Sequence, residues 1–462
     1  MKNAKKSLAN VMVYVLKMLM YAVLLLTFVF IMGKGNPPML IPSRTMAITW
    51  STFVLVELLM VAIYGKYDIG RRKSKPIIYS MVLATGLTDV ITYMELMIMN
   101  MINPDITKFR LTHVWELIII VLMHIIIIVA FVYIGNFLYF KLVSPEKCCI
   151  ITMKDADLEK VSRAIKKYRM QYKVKRVVDY RRIDIEEILE KMDTVFLYEV
   201  PIAERTEIIN YCYEHMINIY ICPEVADVVT NVAEHYLLDD VSMLNFNTSG
   251  LSLEQRFFKR AFDIVLSAIA LLVSSPFLLI GAIAIKMDDG GPVFFKQKRA
   301  TRNGGVFEVY KFRTMKVNAG NRSATADDDR ITKVGKILRR TRLDEIPQFI
   351  NIFLGDMSFV GPRPEMLENV YAYTADLPEF KYRLRVKGGL TGYAQIAGKY
   401  NTSPKDKLIL DMMYIEKYSF WRDIKLCFQT LIVLLKSDST EGFQGTKDVF
   451  EVEETPENVK KG

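Results

Sequence analysis

The chain has 462 residues, of which 51% are hydrophobic, and a formal net charge of +10. Its mean hydropathy of +0.18 is high for a soluble protein and indicates membrane segments. The five cysteines and four histidines show no metal-binding spacing and no even cysteine framework, which argues against a zinc site and against a disulfide scaffold.

Four long apolar runs occupy the first third of the chain. They cover roughly residues 11–32, 46–64, 77–102 and 114–140, and each has the ~20 residues that a helix needs to cross a bilayer. The first run is too long for a secretory signal core and no small-residue cleavage site follows it, so we expect it to remain in the protein. The sequence therefore predicts a four-helix transmembrane bundle, residues 1–145.

Basic residues in the loops predict the orientation of these helices. Three lysines precede the first run, five Lys or Arg residues separate the second from the third, and Lys141 and Lys147 follow the fourth. The two opposite loops carry two basic residues each. Because Lys and Arg accumulate on the cytoplasmic side, the chain after residue 141 should begin in the cytoplasm. His124, inside the fourth run, is interpreted as a packed histidine and not as a ligand.

The next segment alternates between strands and helices. KCCIITM, VKRVVDY, DTVFLYEV and INIYICPE are typical of buried strands, and amphipathic helical stretches separate them. This alternation predicts a parallel sheet flanked by helices, a Rossmann-like domain at residues 146–240. No glycine lies between Cys148 and Leu158, where a backbone would approach a pyrophosphate. We therefore expect a scaffold, dimerisation or regulatory module here and not a nucleotide site.

A fifth apolar segment follows a predicted polar linker at residues 241–255. Basic residues lie at both of its ends, which favours two cytoplasmic ends. Ser275 and Pro276 interrupt its middle, and a proline removes a backbone donor and kinks a helix. The sequence predicts a broken, re-entrant helix over about residues 262–286. A fifth spanning helix with a kink at the proline is the alternative.

Positive charge is concentrated after this segment. Residues 286–343 contain fifteen Lys or Arg residues against six Asp or Glu residues. Such a stretch could be a solvated face held to anionic inner-leaflet lipid. Nucleic acid is a poorer partner, because no nucleic-acid-binding signature accompanies the charge. The position beside a membrane helix favours a phosphorylated lipid or a sugar nucleotide.

The stretch RRTRLDEIPQ, residues 339–348, is the strongest chemical motif of the chain. It places Asp344 and Glu345 after three arginines and just before a proline that suits the first turn of a new helix. One interpretation is structural, with Asp344 capping that helix and Arg340 paired to it. The other is a phosphoryl-transfer site, which needs cations, a metal and a nucleophile. The arginines here, together with Arg363 of GPRP, favour the second.

Four segments of the second half resemble a known family. FKRAFDIVLSAIALLVSSPF, GGPVFFKQKRATRNGGVFEVYKFRTM, RRTRLDEIPQFINIFLGDMSFVGPRPE and GGLTGYAQIAGK occur in the order typical of the bacterial sugar transferases, the monotopic phosphoglycosyl transferase superfamily. The similarity covers about residues 254–437. With four helices and a Rossmann-like domain in front, the chain resembles that family's large branch, the polyprenyl glycosylphosphotransferases of exopolysaccharide, capsule or O-antigen assembly.

The resemblance implies roles for individual residues. Asp344 matches the family's nucleophile and Glu345 the second member of its acidic dyad, with Mg²⁺ held near both carboxylates. Substrate binding is then expected of four basic residues: Arg339, Arg363, Lys311 and Arg313. For the last two, lipid-facing charge is the alternative. The same resemblance makes Ser275 and Pro276 the break of the re-entrant helix.

The resemblance also implies a reaction. Asp344 attacks the sugar-bearing phosphate of a UDP-sugar, UMP leaves, and polyprenyl (undecaprenyl) phosphate then takes the phosphosugar from the aspartyl ester. The expected protein is an initiating phosphoglycosyl transferase of the bacterial inner membrane, with a mostly helical catalytic domain at residues 256–437 on the cytoplasmic face and a polar tail at 438–462. A non-catalytic scaffold of a polysaccharide assembly complex and a glycosyltransferase that releases UDP are the alternatives. Homodimerisation and the identity of the sugar stay open.

Overall fold

The computed structural model describes seven stretches of the chain: residues 2–65, 67–100, 111–246, 250–317, 328–398, 402–435 and 449–453. Several positions used in the sequence analysis lie outside these stretches. They include the loop residues Lys66, Lys108 and Arg110, the end of the third apolar run at Ile102, residues 247–249 of the linker, residues 318–327 of the basic stretch, Lys399 and most of the tail at 438–462.

The chain forms two compact units: Met1–Cys222 with Phe443–Gly462, and Pro223–Gly442. The sequence predicts a boundary at residue 240, whereas the structural division falls earlier. The last parallel strand ends at Ile221, and Val228 of the following helix packs in the core of the second unit. The remaining boundaries of the predicted domains stay predictions.

Four long helices begin the first unit: α1 Lys2–Gly35, α2 Arg44–Tyr64, α3 Ser74–Asn100 and α4 Val114–Leu142. Their positions agree with the four apolar runs. Together with one helix of the second unit, the described residues contain five helices that are long and apolar enough to cross a membrane. The arrangement of the first four as a transmembrane bundle stays a prediction.

Polar side chains meet between these helices. Nδ1 of His124 lies 2.9 Å from Oδ2 of Asp89, and its Nε2 lies 3.0 Å from the carbonyl oxygen of Leu24. His124 and Asp89 are both buried. The interpretation of His124 as a packed histidine is therefore confirmed, with its two ring nitrogens bonded to α3 and α1.

The rest of the first unit alternates between strands and helices: β1 Glu146–Thr152, α5 Glu159–Lys166, β2 Tyr172–Asp179, α6 Ile185–Leu189, β3 Thr194–Leu197, α7 Ile202–Glu214 and β4 Asn218–Ile221. All strand pairs are parallel, in the order β2-β1-β3-β4. The predicted parallel sheet is confirmed. Every residue of β1 from Cys148 to Thr152 is buried, as expected for a strand of a parallel sheet that is covered on both faces.

The described part of the tail packs on this sheet. The backbone N–H of Glu453 donates to the carbonyl oxygen of Val177 at 2.8 Å, and its carboxylate pairs with Arg176. The backbone N–H of Phe450 donates to Oγ of Ser162 at 3.0 Å. Because β2 is an edge strand, the tail satisfies backbone groups that the edge would otherwise expose.

The second unit contains the remaining elements: α8 Val225–Thr230, β5 Glu234–Leu238, β6 Val241–Asn245, α9 Leu253–Asp289, β7 Phe294–Ala300, β8 Val306–Phe312, α10 Lys333–Arg340, α11 Gln348–Leu354, β9 Ser358–Val360, α12 Leu367–Asp376, β10 Gly389–Thr391, α13 Tyr393–Ala397, α14 Pro404–Glu416 and α15 Phe420–Leu435. The predicted linker at 241–255 begins inside a hairpin formed by β5 and β6. Its two-residue turn has Asp239 at φ 59°, a conformation that suits such hairpins.

The start of α9 is fixed to the rest of the second unit by buried charges. Nζ of Lys259 donates to the carbonyl oxygen of Val360 at 2.9 Å and to Oδ2 of Asp423 at 2.6 Å. Oδ1 of Asp263 accepts the backbone N–H of Phe359 at 2.9 Å. These contacts hold the first turns of α9 against β9 and α15.

The helix α9 continues through the predicted break. Ser275 and Pro276 both lie within its helical span, and Oγ of Ser275 donates to the carbonyl oxygen of Leu272 at 2.8 Å. This bond back to the preceding turn is a usual way for a serine to satisfy its hydroxyl inside an apolar helix. The proline does not divide the segment into two helices. A bend at this point and re-entry into one leaflet stay predictions.

Candidate active site

The acidic pair lies in a short 3-10 turn between two helices. The turn spans Leu343–Glu345 and begins after Arg342, which has a left-handed backbone with φ 56°. Pro347 then precedes α11. The predicted start of a new helix at this proline is confirmed, whereas the preceding helix, α10, already ends at Arg340, before the turn. Leu343 packs against a buried cluster of Ile285, Phe312 and Leu338 and thereby anchors the start of the turn.

Two basic residues hold the carboxylate of Glu345. Nζ of Lys311 donates to its Oε1 at 2.5 Å, and Nη2 of Arg363 donates to the same oxygen at 3.1 Å. Burial alone would raise the pKa of Glu345, but the opposite charges of Arg363 and Lys311 outweigh it and hold that pKa well below its usual range. Glu345 is therefore a fixed anion.

Asp344 is in a different electrostatic state. Among the described residues, none forms a salt bridge or a side-chain hydrogen bond with its carboxylate. Burial and the like charge of Glu345 raise the pKa of Asp344, against the opposing charges of Lys311 and Arg339. Adjacent carboxylates with pKa values pushed in opposite directions are typical of catalytic pairs. Asp344 is the one with lone pairs left for a nucleophilic role.

The structure brings three of the four predicted substrate-binding residues to this pair. Lys311 and Arg363 contact Glu345 directly, and the positive charge of Arg339 is close enough to lower the pKa of Asp344. Nε of Arg339 donates to Oγ1 of Thr314 at 2.8 Å, which fixes its side chain. The positive charge that the sequence concentrates in this region thus surrounds both carboxylates.

Arg313 is engaged elsewhere. Its guanidinium pairs with the carboxylate of Asp289 at the end of α9, and it also donates to the carbonyl oxygens of Pro292 at 2.7 Å and Met315 at 3.1 Å. Arg313 is buried, so these contacts use most of its donors. The structure therefore places Arg313 as an anchor of the end of α9, and its predicted substrate role stays untested.

Two positioning residues escape sequence analysis. Asn351 of α11 is fully buried; its Oδ1 accepts the backbone N–H of Tyr310 and its Nδ2 donates to the carbonyl oxygen of Glu308, both at 2.8 Å. This fixes α11 against β8 and brings Lys311 opposite Glu345. An asparagine inside an apolar helical segment is the only signal that the sequence offers for this role.

Arg383 positions Arg363 in a similar way. The guanidinium of Arg383 pairs with the buried carboxylate of Asp411 at 2.7 Å and donates to the carbonyl oxygen of Arg363 at 2.9 Å. The loop that carries Arg363 is thereby held by a buried ion pair. No local pattern connects these three residues in sequence, so only the fold reveals the connection.

The two carboxylates fit a magnesium ion if a ligand completes the site. No group of three or more His, Cys, Asp or Glu residues within the described ranges could hold a metal by itself. Mg²⁺, however, is usually bound through one or two carboxylates, with substrate phosphates and water as its other ligands. The unpaired carboxylate of Asp344, next to Glu345, supplies such a donor set.

The fold and the site define a protein with long apolar helices and a cation-lined carboxylate pair. The chain matches the model of the bacterial sugar transferases over residues 254–437. It is 41% identical over 218 residues to the UDP-glucose:undecaprenyl-phosphate glucose-1-phosphate transferase of Escherichia coli (strain K12), a match that covers 45% of this chain and 47% of the relative.

Two further relatives show the same pattern. The UDP-N-acetylgalactosamine-undecaprenyl-phosphate N-acetylgalactosaminephosphotransferase of Aeromonas hydrophila is 39% identical over 185 residues, covering 39% of this chain and 44% of the relative. The UDP-glucose:undecaprenyl-phosphate glucose-1-phosphate transferase of Caulobacter vibrioides (strain ATCC 19089 / CIP 103742 / CB 15) is 38% identical over 189 residues, covering 39% of this chain and 71% of the relative.

The chain belongs to the bacterial sugar transferase family. The resemblance seen in the sequence motifs is confirmed. The match spans a little under half the length of the Escherichia coli and Aeromonas hydrophila relatives. The names of the three relatives mention two different sugars, so family membership leaves the sugar open.

Proposed function

We propose that the chain is an initiating phosphoglycosyl transferase that moves a sugar-1-phosphate from a UDP-sugar to polyprenyl phosphate and releases UMP. The observation that carries the proposal is the division of roles within the acidic pair: Glu345 is held by Lys311 and Arg363, whereas Asp344 has no ion-pair partner among the described residues. Family membership and the undecaprenyl-phosphate acceptors named for the relatives support it.

In the first step, a carboxylate oxygen of Asp344 attacks the sugar-bearing phosphorus of the donor. A bond forms between that oxygen and phosphorus, the phosphoanhydride bond breaks, and UMP leaves with the electron pair on its phosphate oxygen. The sugar phosphate stays on Asp344 as an acyl phosphate ester. Because phosphoryl transfer proceeds mainly by positioning and charge stabilisation, the fixed cations around Glu345 would stabilise the transition state.

In the second step, a phosphate oxygen of polyprenyl phosphate attacks the same phosphorus. The bond to Asp344 breaks and its carboxylate returns to the anionic state, so the product is polyprenyl-diphosphate-sugar. A covalent intermediate divides one difficult exchange into two and lets both anionic substrates use one small site in turn. Glu345 keeps its charge throughout because its pKa is held low.

Charge compensation would come from the basic residues and from a metal. Lys311, Arg339 and Arg363 would bind the phosphates of donor and acceptor. Mg²⁺ held by Asp344 and Glu345 would offset the negative charge of the donor diphosphate and of departing UMP. Arg313 would act through the end of α9, since its guanidinium is paired with Asp289.

The proposed location is the cytoplasmic face of the inner membrane, with α9 entering and leaving on the same side. A straight helix of 37 residues would be about 55 Å long. Yet Arg260, near its start, donates to the carbonyl oxygen of Ile352, and Asp289 at its end pairs with Arg313. The segments that carry Ile352 and Arg313 are joined through the bond between Asn351 and Tyr310. Both ends of α9 therefore contact the same compact unit. This supports a helix that re-enters one leaflet and not a helix that crosses the membrane.

The proposal is tested with the full chain purified in detergent and incubated with a panel of UDP-sugars, with and without polyprenyl phosphate. We expect UMP from one class of sugar, and with donor alone a mass increase of one phosphosugar on the peptide that contains Asp344. Asp344→Asn should lose both signals. Release of UDP would instead identify a glycosyltransferase, and cell-surface glycan synthesis that persists with Asp344→Asn would identify a scaffold.

The membrane topology has its own test. A single cysteine replaces the exposed Lys298 in a chain whose native cysteines are removed, and a membrane-impermeant maleimide is applied. We expect labelling in inverted inner-membrane vesicles and none in intact spheroplasts. The opposite pattern would mean that α9 crosses the membrane.

A further inference from the structure

A cavity of about 430 Å³ opens in the second unit beside the start of α9. Asp263 supplies the one carboxylate among its lining residues. The positive charge comes from six lining side chains: Arg256, Lys259, Arg260, Arg302, Arg385 and Lys387. Such an excess of one sign in a concave site concentrates its electrostatic field.

Two of the six cations are already neutralised. Lys259 pairs with Asp423 at 2.6 Å, and Arg385 pairs with Glu416 at 3.0 Å. Oδ1 of Asp263 accepts hydrogen bonds from the hydroxyl of Ser358 and from the backbone N–H of Phe359. The carboxylate inside the cavity therefore serves the packing of β9 and does not form a salt bridge with the remaining cations.

The other four cations have no salt-bridge partner among the described residues. Arg260 and Lys387 donate only to backbone carbonyl oxygens. Arg256 makes one long bond of 3.4 Å to the backbone of Ser252. Within the part of the chain that the structure describes, the guanidinium of Arg302 forms neither a hydrogen bond nor an ion pair, and only its backbone carbonyl oxygen accepts a bond, from the N–H of Gly305. Its guanidinium thus keeps its donors available.

The charges in this cavity repel one another. Burial lowers the pKa of Lys387, and the like charges of Arg260 and Arg302 lower it further, more than the nearby carboxylates of Asp263 and Asp356 raise it. Cations crowded in this way store an unfavourable interaction that a bound anion would relieve.

The cavity is separate from the acidic pair. Arg302 lies in the turn that joins β7 to β8, whereas Lys311, which contacts Glu345, lies near the far end of β8. The five residue-to-residue steps from Val306 to Lys311 alone correspond to roughly 17 Å of strand. One phosphate group therefore does not contact both places.

We propose that this cavity is a second anion site of the protein and that it takes a phosphate group. Guanidinium groups present several N–H donors in a plane, which suits the oxygens of a phosphate mono- or diester. The cavity is lined by the first turns of α9, one of the helices apolar enough to enter a membrane, so a lipid head group is within reach. A soluble phosphate has the same chemistry. The site goes beyond the proposed reaction and does not depend on it.

The test uses the full chain in neutral detergent without any sugar nucleotide. One arm follows binding of phosphatidylglycerol, with phosphatidylcholine as reference, by native mass spectrometry; the other follows inorganic pyrophosphate by calorimetry. The variant Arg256→Gln/Arg302→Gln removes two free cations of the cavity. The matched control, Lys298→Gln/Lys336→Gln, removes two exposed charges of the same unit outside it.

We expect the cavity variant to weaken binding about tenfold or more in at least one arm, as expected for the loss of charge-assisted hydrogen bonds, and the control to stay near wild type. A loss in the lipid arm alone identifies a head group, and a loss in the pyrophosphate arm alone identifies a soluble phosphate. Unchanged binding in both arms, or an equal loss in the control, overturns the proposal. If the double variant unfolds, Arg302→Gln alone replaces it, because that side chain holds no hydrogen bond within the described residues.

Discussion

Nζ of Lys311 lies 2.5 Å from Oε1 of Glu345, across a separation of 34 residues in the chain. This contact joins β8 to the turn in front of α11. It fixes one carboxylate of the acidic pair as an ion-paired anion, and Arg363 reinforces it on the same oxygen. The neighbouring carboxylate, that of Asp344, forms no salt bridge among the described residues, and in the proposed reaction it is the nucleophile.

Replacing the ammonium group of Lys311 should show what this contact contributes to the reaction and what it contributes to stability. Lys311→Met leaves Glu345 with Arg363 alone, so we expect donor-dependent UMP release to fall by about 10- to 100-fold and unfolding to become easier by about 1–3 kcal/mol. Rates of UMP release and thermal unfolding of the detergent-solubilised chain measure the two effects. Lys298→Met, in the exposed part of β7, is the matched control. Wild-type activity in Lys311→Met would contradict the proposed role of this contact in the reaction.

The pH dependence of UMP release, the first step of the proposed reaction, should reflect the ionisation of Asp344. The pKa of Asp344 is raised above its ordinary value, and in the proposed reaction only the ionised carboxylate attacks. We therefore expect kcat/KM at constant free Mg²⁺ to fall as pH falls through that raised pKa. Glu345 has a lowered pKa and stays ionised there. The stability that its ion pairs contribute is fully present above the ordinary glutamate pKa and is lost only as pH falls through the depressed value.

The variant Glu345→Gln distinguishes the two carboxylates in that profile. Removing the like charge next to Asp344 should lower the pKa of Asp344, so the acid limb should move to lower pH while the maximal rate also drops. If the fall in rate at low pH disappears in Glu345→Gln, the titrating group is Glu345 and not Asp344, which would refute our interpretation.

Arg313 and Arg339 should behave differently. Since Arg313 is paired with Asp289, both Arg313→Gln and Asp289→Asn should make α9 easier to cleave by protease and leave KM for the donor within about twofold. Arg339→Gln should raise the donor KM, because it removes a cation beside Asp344. If Arg313→Gln raised KM while Asp289→Asn had no effect, Arg313 would bind substrate directly.

The buried pair of Lys259 and Asp423 should be a major determinant of stability. Their side chains are 8% and 1% exposed, so Lys259→Met leaves a buried carboxylate without its cation and should cost about 3–5 kcal/mol. Lys259→Met/Asp423→Leu removes both charges and should cost less than the single change. Denaturant unfolding of the solubilised chain, with Trp50 and Trp115 replaced by Phe so that fluorescence comes from Trp421, gives the comparison. A double variant that is less stable than the single one would contradict this.

The elements of this protein follow largely from its sequence. Runs of about twenty apolar residues need a helix in a membrane because the backbone has no other hydrogen-bond partners there, and α1 to α4 form where such runs occur. The parallel sheet follows from continuous apolar strands between amphipathic helices. The acidic pair was also evident, since it follows three arginines and comes just before Pro347, a residue that suits the start of a helix.

The tertiary structure decided which charges meet. Glu345 contacts Lys311 and Arg363, which lie 34 and 18 residues away in the sequence. Lys259 contacts Asp423 at a separation of 164 residues. Arg313 pairs with Asp289 and not with the acidic pair. Hydrophobic length and periodicity act over one helix or strand and can be read locally. A buried ion pair between distant residues forms only when the fold brings both partners together and removes them from water. The residues next to each partner in the sequence determine neither condition.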